Sequence, residues 1–231
     1  MFKKYTKGKV AVFIDAANIL YSQQTLGWRI DYQKLRDYLK NQAKISGLFY
    51  YTGKVGAFEK QIKFIKKLER LGFLVVSKEV KFIKMDDGKL LPKGNLDVEL
   101  ALDAFRLADG YDTLLLFSGD SDFGYLLDLL KHRGKRVLVV STRGHISKEL
   151  LERAKYIDLR KLKKEIIFNK NQEPSEDDPW GMTLIYYRSL SRNQAWQDCG
   201  GMLTLRTENG LAFERKPRYE KKEKEAKMGR V

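Results

Sequence analysis

Along residues 1–168, short apolar and β-branched runs alternate with stretches in which apolar residues recur every three or four positions. The runs read as strands and the recurring stretches as amphipathic helices. Strands are expected at 10–14 (VAVFI), 48–51, 73–77, Thr113–Phe117 (TLLLF) and 136–140 (RVLVV), with a last short one around 156–158. VAVFI, TLLLF and RVLVV are almost unbroken, as in strands covered on both faces. Helices fit between them. Residues 32–42 place Leu35, Tyr38 and Leu39 on one stripe, and residues 57–71 place Phe58, Ile62, Ile65, Leu68 and Leu71 inward. Residues 97–108 are expected to bury Val98, Ala101, Leu102 and Phe105. A helix over 121–132 ends before Gly134, and one over 147–154 starts from Ser147 as N-cap. This alternation predicts an α/β fold with a mostly parallel sheet. Residues 79–92 interrupt it, and Asp87-Gly88 between two semi-apolar runs predicts an inserted hairpin. No internal repeat is present.

Past Phe168 the pattern changes. NKNQEPSEDDP is a polar linker, and residues 180–216 form a second hairpin candidate around Asn209-Gly210. The closing run is charged and expected to be disordered or a frayed helix. The reading is therefore one domain over 8–165 and an extension over 169–231, in which the hairpin is small and part of the chain disordered.

Charge adds a partner class. The formal net charge is +15. Residues 1–168 hold 33 Lys+Arg against 20 Asp+Glu, a net of +13, and the extension holds 12 against 10, a net of +2. The excess sits in the predicted domain, where it favours a polyanion, although a merely soluble protein can share it. On the 57–71 helix, Lys60, Lys63, Lys67 and Arg70 form a stripe whose preferred reading is a solvated face. A single cysteine, Cys199, excludes an intrachain disulfide and suits a reducing compartment. The apolar run near the N-terminus is broken by Asp15 and Asn18, so no signal peptide or membrane span is expected. A cytoplasmic protein without a membrane partner is the default. Self-association into a homo-oligomer stays open.

The candidate chemistry lies in aspartates. Asp15 follows VAVFI, and Asp120 and Asp122 follow TLLLF in SGDSDF. In open parallel sheets, ligands bind beyond the carboxyl ends of the strands, where strand order reverses. If these two strands are neighbours there, three carboxylates converge, and Asp97 at the start of the next helix can point into the same crevice. Crowded carboxylates raise one another's pKa or require a cation. Oxygen ligands with no nearby Cys or His favour Mg²⁺ or Mn²⁺ over zinc. Any one of these aspartates is as readily a helix cap or turn former. Their coincidence at one crevice favours a site.

IDAANI (14–19), KGNLDVELALD (93–103) and LFSGDSDF (116–123) resemble, in order and spacing, the NYN domain, which includes the LabA-like proteins and lies in the PIN-like nuclease superfamily. The resemblance covers residues 8–160. It implies a Rossmann-like three-layer sheet in the order 3-2-1-4-5 and metal-dependent cleavage of RNA. By resemblance, Asp15, Asp97, Asp120 and Asp122 match the metal-binding, catalytic acids. Asn18 matches an Asn that shapes the site, and Lys93 a basic residue near the scissile phosphate. The segment KGNLD is one residue longer than the commonest form, which makes Asp97 the acid most open to displacement. Asp103, six residues on from Asp97, reads either as a support to the acids or as structural. Ser118 and Ser121 are candidate donors to the carboxylates or to phosphate, and Arg143 and His145, beyond RVLVV, are candidates for a phosphate contact. Tyr21, Trp28 and Arg29 suit either base stacking or, for Trp28, core packing. The rival readings are an inactive RNA-binding regulator on the same fold, another metal-dependent phosphotransfer enzyme, and a scaffold working through residues 180–216. For the enzymes, Asp15-Ala16-Ala17 lacks a phosphatase's D-x-D, and Asp15 stands where a Toprim domain would have glutamate.

Overall fold

The computed structural model describes residues 2–54, 59–84, 90–93 and 96–169. The expected hairpin and tail of the extension fall outside them.

Six parallel strands make the main sheet: β1 (Lys9–Asp15), β2 (Lys44–Lys54), β3 (Leu74–Glu79), β6 (Thr113–Phe117), β7 (Arg136–Ser141) and β8 (Lys155–Asp158). Between β3 and β6, β4 (Lys81–Lys84) and β5 (Leu90–Lys93) pair antiparallel as the expected inserted hairpin. The main sheet runs β3-β2-β1-β6-β7-β8. Counted within that sheet alone, the order is 3-2-1-4-5 with a sixth strand added at the edge. β1 pairs with β2 on one side and β6 on the other. The order reverses between β1 and β6, so the switch point lies where the sequence placed the acids.

The helices are α1 (Ala16–Leu26), α2 (Tyr32–Gln42), α3 (Glu59–Arg70), α4 (Asp97–Arg106), α5 (Gly124–His132), α6 (Lys148–Arg153) and α7 (Lys163–Ile166). They form two layers. On β1, Val10, Val12 and Ile14 point into one core with Ile19, Leu35, Leu39 and Leu68, while Ala11 and Phe13 point into the other with Leu100, Leu127 and Leu150. This period-two alternation of buried residues explains the continuous apolar runs of β1, β6 and β7. No helix among the described residues is long and apolar enough to cross a membrane.

Two expectations need correction, and one open alternative, the placement of Trp28, is resolved. On α4, Val98 and Leu102 are 68% and 64% exposed, and the buried stripe is Leu96, Leu100 and Ala104, flanked by the partly buried Ala101 and Phe105. Apolar residues surround this helix, so its sequence does not single out one face. Leu96 just ahead of the helix and Ala108 just after it extend the four-residue spacing that docks. On α3, Gln61, Phe64 and Leu68 face inward, while Ile62 and Ile65 are only half-buried. Gln61 is held there by donating from Nε2 to the Gly53 carbonyl at 2.7 Å. Trp28 belongs to the core, with Ile30 and Tyr32. The α4 correction is testable by thermal or urea unfolding. Leu100→Ala is expected to destabilise by about 2–5 kcal/mol, and Leu102→Ala by less than about 0.5 kcal/mol. The reverse ranking would mean that the other face docks.

Candidate metal centre

β1 ends in Asp15, which also caps α1. Its Oδ1 accepts from the backbone N–H groups of Ala17 at 3.0 Å and Asn18 at 3.2 Å. Its Oδ2 accepts from Ser118 Oγ at 2.9 Å. Ser118 is fully buried, and its hydroxyl also accepts from the Asp120 N–H at 3.2 Å. One serine thus links the acid after β1 to the acid loop after β6. Asp120 in turn caps the 3-10 turn Ser121–Phe123, accepting from the Asp122 N–H at 3.1 Å. That turn is the start of the helix expected over 121–132. Both caps and a convergent cluster are therefore present together.

Asp97, Asp120 and Asp122 each offer a carboxylate oxygen, and the three atoms lie within 4.8 Å of one another. The extra residue in KGNLD does not displace Asp97, because Leu96 sinks into the α4–α5 core and anchors the helix start. Asp15 stands differently from the other three. It is buried, and burial followed by the charges of Asp97 and Asp120 pushes its carboxyl up to about 7, against the lowering effect of its hydrogen bonds. A buried carboxylate with two acidic neighbours is a strong demand for a cation or a proton.

This has a consequence for stability. A carboxyl at 3.8 when unfolded and about 7 when folded binds more protons in the folded state across that window. Its contribution is complete below about pH 4 and is lost as pH rises toward 7, at about 1.4 kcal/mol per unit. In EDTA the unfolding midpoint is therefore expected to fall between pH 5 and pH 8, and Asp15→Asn to flatten that fall. An equally steep fall in the variant would assign the effect to other groups.

The remaining candidates are distributed around this cluster. Asn18, in the first turn of α1, accepts from the Gly119 N–H at 2.9 Å through Oδ1, holding the SGDSDF loop. Ser121 and Arg143 are exposed, the first on the 3-10 turn and the second beyond β7. Lys93 ends β5, and its side chain lies outside the described residues. Asp103 is away from the cluster, accepting from Tyr51 Oη at 3.0 Å and from Arg106 at 2.9 Å.

Sequence reasoning missed a clasp. Gly119 donates to Asn18, its carbonyl accepts from the Ser147 N–H at 2.9 Å, and its Cα packs against the His145 carbonyl. His145 Nε2 lies 2.7 Å from Thr25 Oγ1. The loop after β7 is thus tied to both α1 and the acid loop. The only sequence signal was the small residue in SGD, flanked by two residues with chemistry of their own.

A doubly wound parallel sheet with carboxylates gathered at its switch point defines the class: a Rossmann-like domain with an acidic centre. The model of the NYN domain matches residues 9–160. The low amplitude and bright protein LabA of Synechococcus elongatus is 32% identical over 180 residues, spanning 76% of this chain and 96% of its own. A crystal structure of a protein of unknown function from Vibrio parahaemolyticus shares the fold with a TM-score of 0.59. It is 26% identical, over 70% of this chain and 97% of that one. The chain belongs to the NYN domain family, on its LabA-like side, within the PIN-like nuclease superfamily.

Proposed function

We propose that the protein is a metal-dependent ribonuclease hydrolysing phosphodiester bonds of single-stranded RNA. The observation that carries this reading is the meeting of Asp97, Asp120 and Asp122 within 4.8 Å at the switch point, above a buried Asp15. The donor set fits Mg²⁺ or Mn²⁺, since all three groups are hard carboxylate oxygens and no His or Cys joins them among the described residues. When bound, such an ion supplies a Lewis acid that favours deprotonation of water and offsets charge on a phosphodiester.

The chain's own residues do the rest. Asp97, Asp120 and Asp122 hold the cation. Asp15 braces the cluster through Ser118 and supplies a fourth charge. Asn18 sets the acid loop by accepting from Gly119. Ser121, Arg143 and Lys93 are the proposed contacts to substrate phosphate. The domain's net charge of +13 supports a polyanionic substrate. A cytoplasmic location is part of the same proposal.

The test is cleavage of an end-labelled, unstructured RNA by the full chain in Mn²⁺, in Mg²⁺ and in EDTA. Fragments with either metal and none in EDTA are expected. Tight binding with no cleavage under any metal would replace this reading with that of a regulatory RNA-binding protein.

A further inference from the structure

The opposite end of the sheet is as basic as the crevice is acidic. Four of the six parallel strands begin with a cation: Lys9 on β1, Lys44 on β2, Arg136 on β7 and Lys155 on β8, all exposed. Lys9 and Lys44 are register partners on adjacent strands. Like charges so placed repel unless an anion lies between them. One carboxylate lies in this row: Asp112, directly before β6, whose Oδ2 is engaged by the Lys9 N–H at 2.7 Å.

The charges gather on Tyr5. Lys4 Nζ lies 4.9 Å and Lys155 Nζ 5.0 Å from the centre of its ring, and Arg136 donates to its carbonyl at 3.2 Å. Contact with Lys4, then the charges of Lys4, Lys155 and Lys161, hold the phenol below its ordinary value. None of Lys4, Lys155, Lys161 or Arg136 is in an ion pair among the described residues. Helix C-termini at this end of the sheet favour some positive charge. Lys4 closes the 3-10 turn Phe2–Lys4 and Lys155 follows the C-cap of α6, but helix ends alone do not bring both ammonium groups to about 5 Å from one aromatic ring.

We propose that this end of the sheet is a second contact surface for the phosphate backbone of RNA, centred on Lys4, Lys155 and Lys161 around Tyr5 and extended by Lys9, Lys44 and Arg136. β1 has seven residues, and at about 3.3 Å each they separate this surface from the aspartates by about 20 Å. The surface therefore engages a stretch of the chain distinct from the one at the acids. Cations beside an aromatic ring suit phosphates with an adjacent base. Among the described residues, the exposed large apolar side chains, Leu74, Val98, Leu102, Tyr125 and Leu151, lie on β3, α4, α5 and α6 rather than here, which disfavours insertion into a lipid surface. The inference rests on RNA as partner but not on cleavage.

The experiment is fluorescence anisotropy of a labelled, unstructured 20-nucleotide RNA with the full chain in EDTA, over a series of salt concentrations. Lys4→Gln/Lys155→Gln/Lys161→Gln is compared with Lys60→Gln/Lys66→Gln/Lys67→Gln, which removes equal charge from α3. All six lysines are on the surface, and unchanged unfolding midpoints verify that both variants fold. The first variant is expected to bind at least about tenfold more weakly near 100 mM salt. Its slope of log K against log[salt] should flatten by about 2, the value for three lost contacts to a single strand. Equal losses in the two variants would reduce the effect to net charge and overturn the proposal. So would unchanged RNA affinity accompanied by lost binding to phosphatidylserine vesicles. Because EDTA removes any metal-dependent cleavage, this result and that of the cleavage test are read separately.

Discussion

Asp120→Asn is expected to lower RNA cleavage by at least about 10³-fold, equivalent to about 4 kcal/mol of barrier, while leaving the fold intact. The two effects separate because Asp120 has two jobs. Its Oδ1 caps the 3-10 turn by accepting from the Asp122 N–H, and an asparagine oxygen caps equally well. Its charge is needed only for the proposed cation site with Asp97 and Asp122. Removing that charge also relieves repulsion on Asp15, which feels Asp120 directly. The unfolding midpoint in EDTA should therefore stay level or rise at pH 8. Asp97→Asn should behave in the same way, since Asp97 is the larger of the two charge effects on Asp15. Cleavage within about threefold of wild type in either variant would remove the cluster from the reaction. A collapse of stability would instead make these acids architectural.

Gly119→Ala is expected to damage the site without touching an acid. A Cβ at this position would collide with the His145 carbonyl and crowd Ser141 Oγ. The obstacle is backbone, so it cannot swing aside as a flexible side chain would. Either the loop after β7 retreats or the SGDSDF loop shifts, and the bonds from Ser147 to Gly119 and from Gly119 to Asn18 are strained or lost. A destabilisation of about 1–3 kcal/mol is expected. Displacing Asp120 and Asp122 by about 1 Å should cost about 10²-fold in cleavage. Gly110→Ala is the control, because nothing lies within 4 Å of a Cβ there. Equal behaviour of the two variants would show that the clasp is loose.

Those two residues mark the boundary between what could and could not be read from the chain. The strands were legible where burial on both faces leaves unbroken apolar runs, and Thr113–Phe117 was located to the residue. At the sheet edge, β3 carries a mixed pattern and begins one residue later than expected. The convergence of Asp15 with Asp120 followed from two central strands ending in acids on either side of a switch point. Asp97 was the acid most open to displacement by the longer KGNLD, yet it lies with Asp120 and Asp122. The anchoring that holds it comes from Leu96, whose burial no local pattern announces. The clasp was illegible for a related reason. The Asn18 side chain, the Gly119 backbone and the Ser147 N–H meet across segments distant in sequence, and such contacts leave no periodicity. The face of α4 was misread because apolar residues at 96, 98, 100, 101, 102, 104 and 105 fit more than one stripe.

Everything proposed for this crevice depends on Asp97, Asp120 and Asp122 together holding a divalent cation. The most direct test is Mn²⁺ binding by the wild type and Asp97→Asn, followed by electron paramagnetic resonance of free Mn²⁺ near pH 7.5. Saturable binding by the wild type is expected, weakened at least about tenfold in the variant, with Mg²⁺ competing for the same site. Absence of saturable binding at millimolar Mn²⁺, or equal affinity in the two proteins, would contradict it.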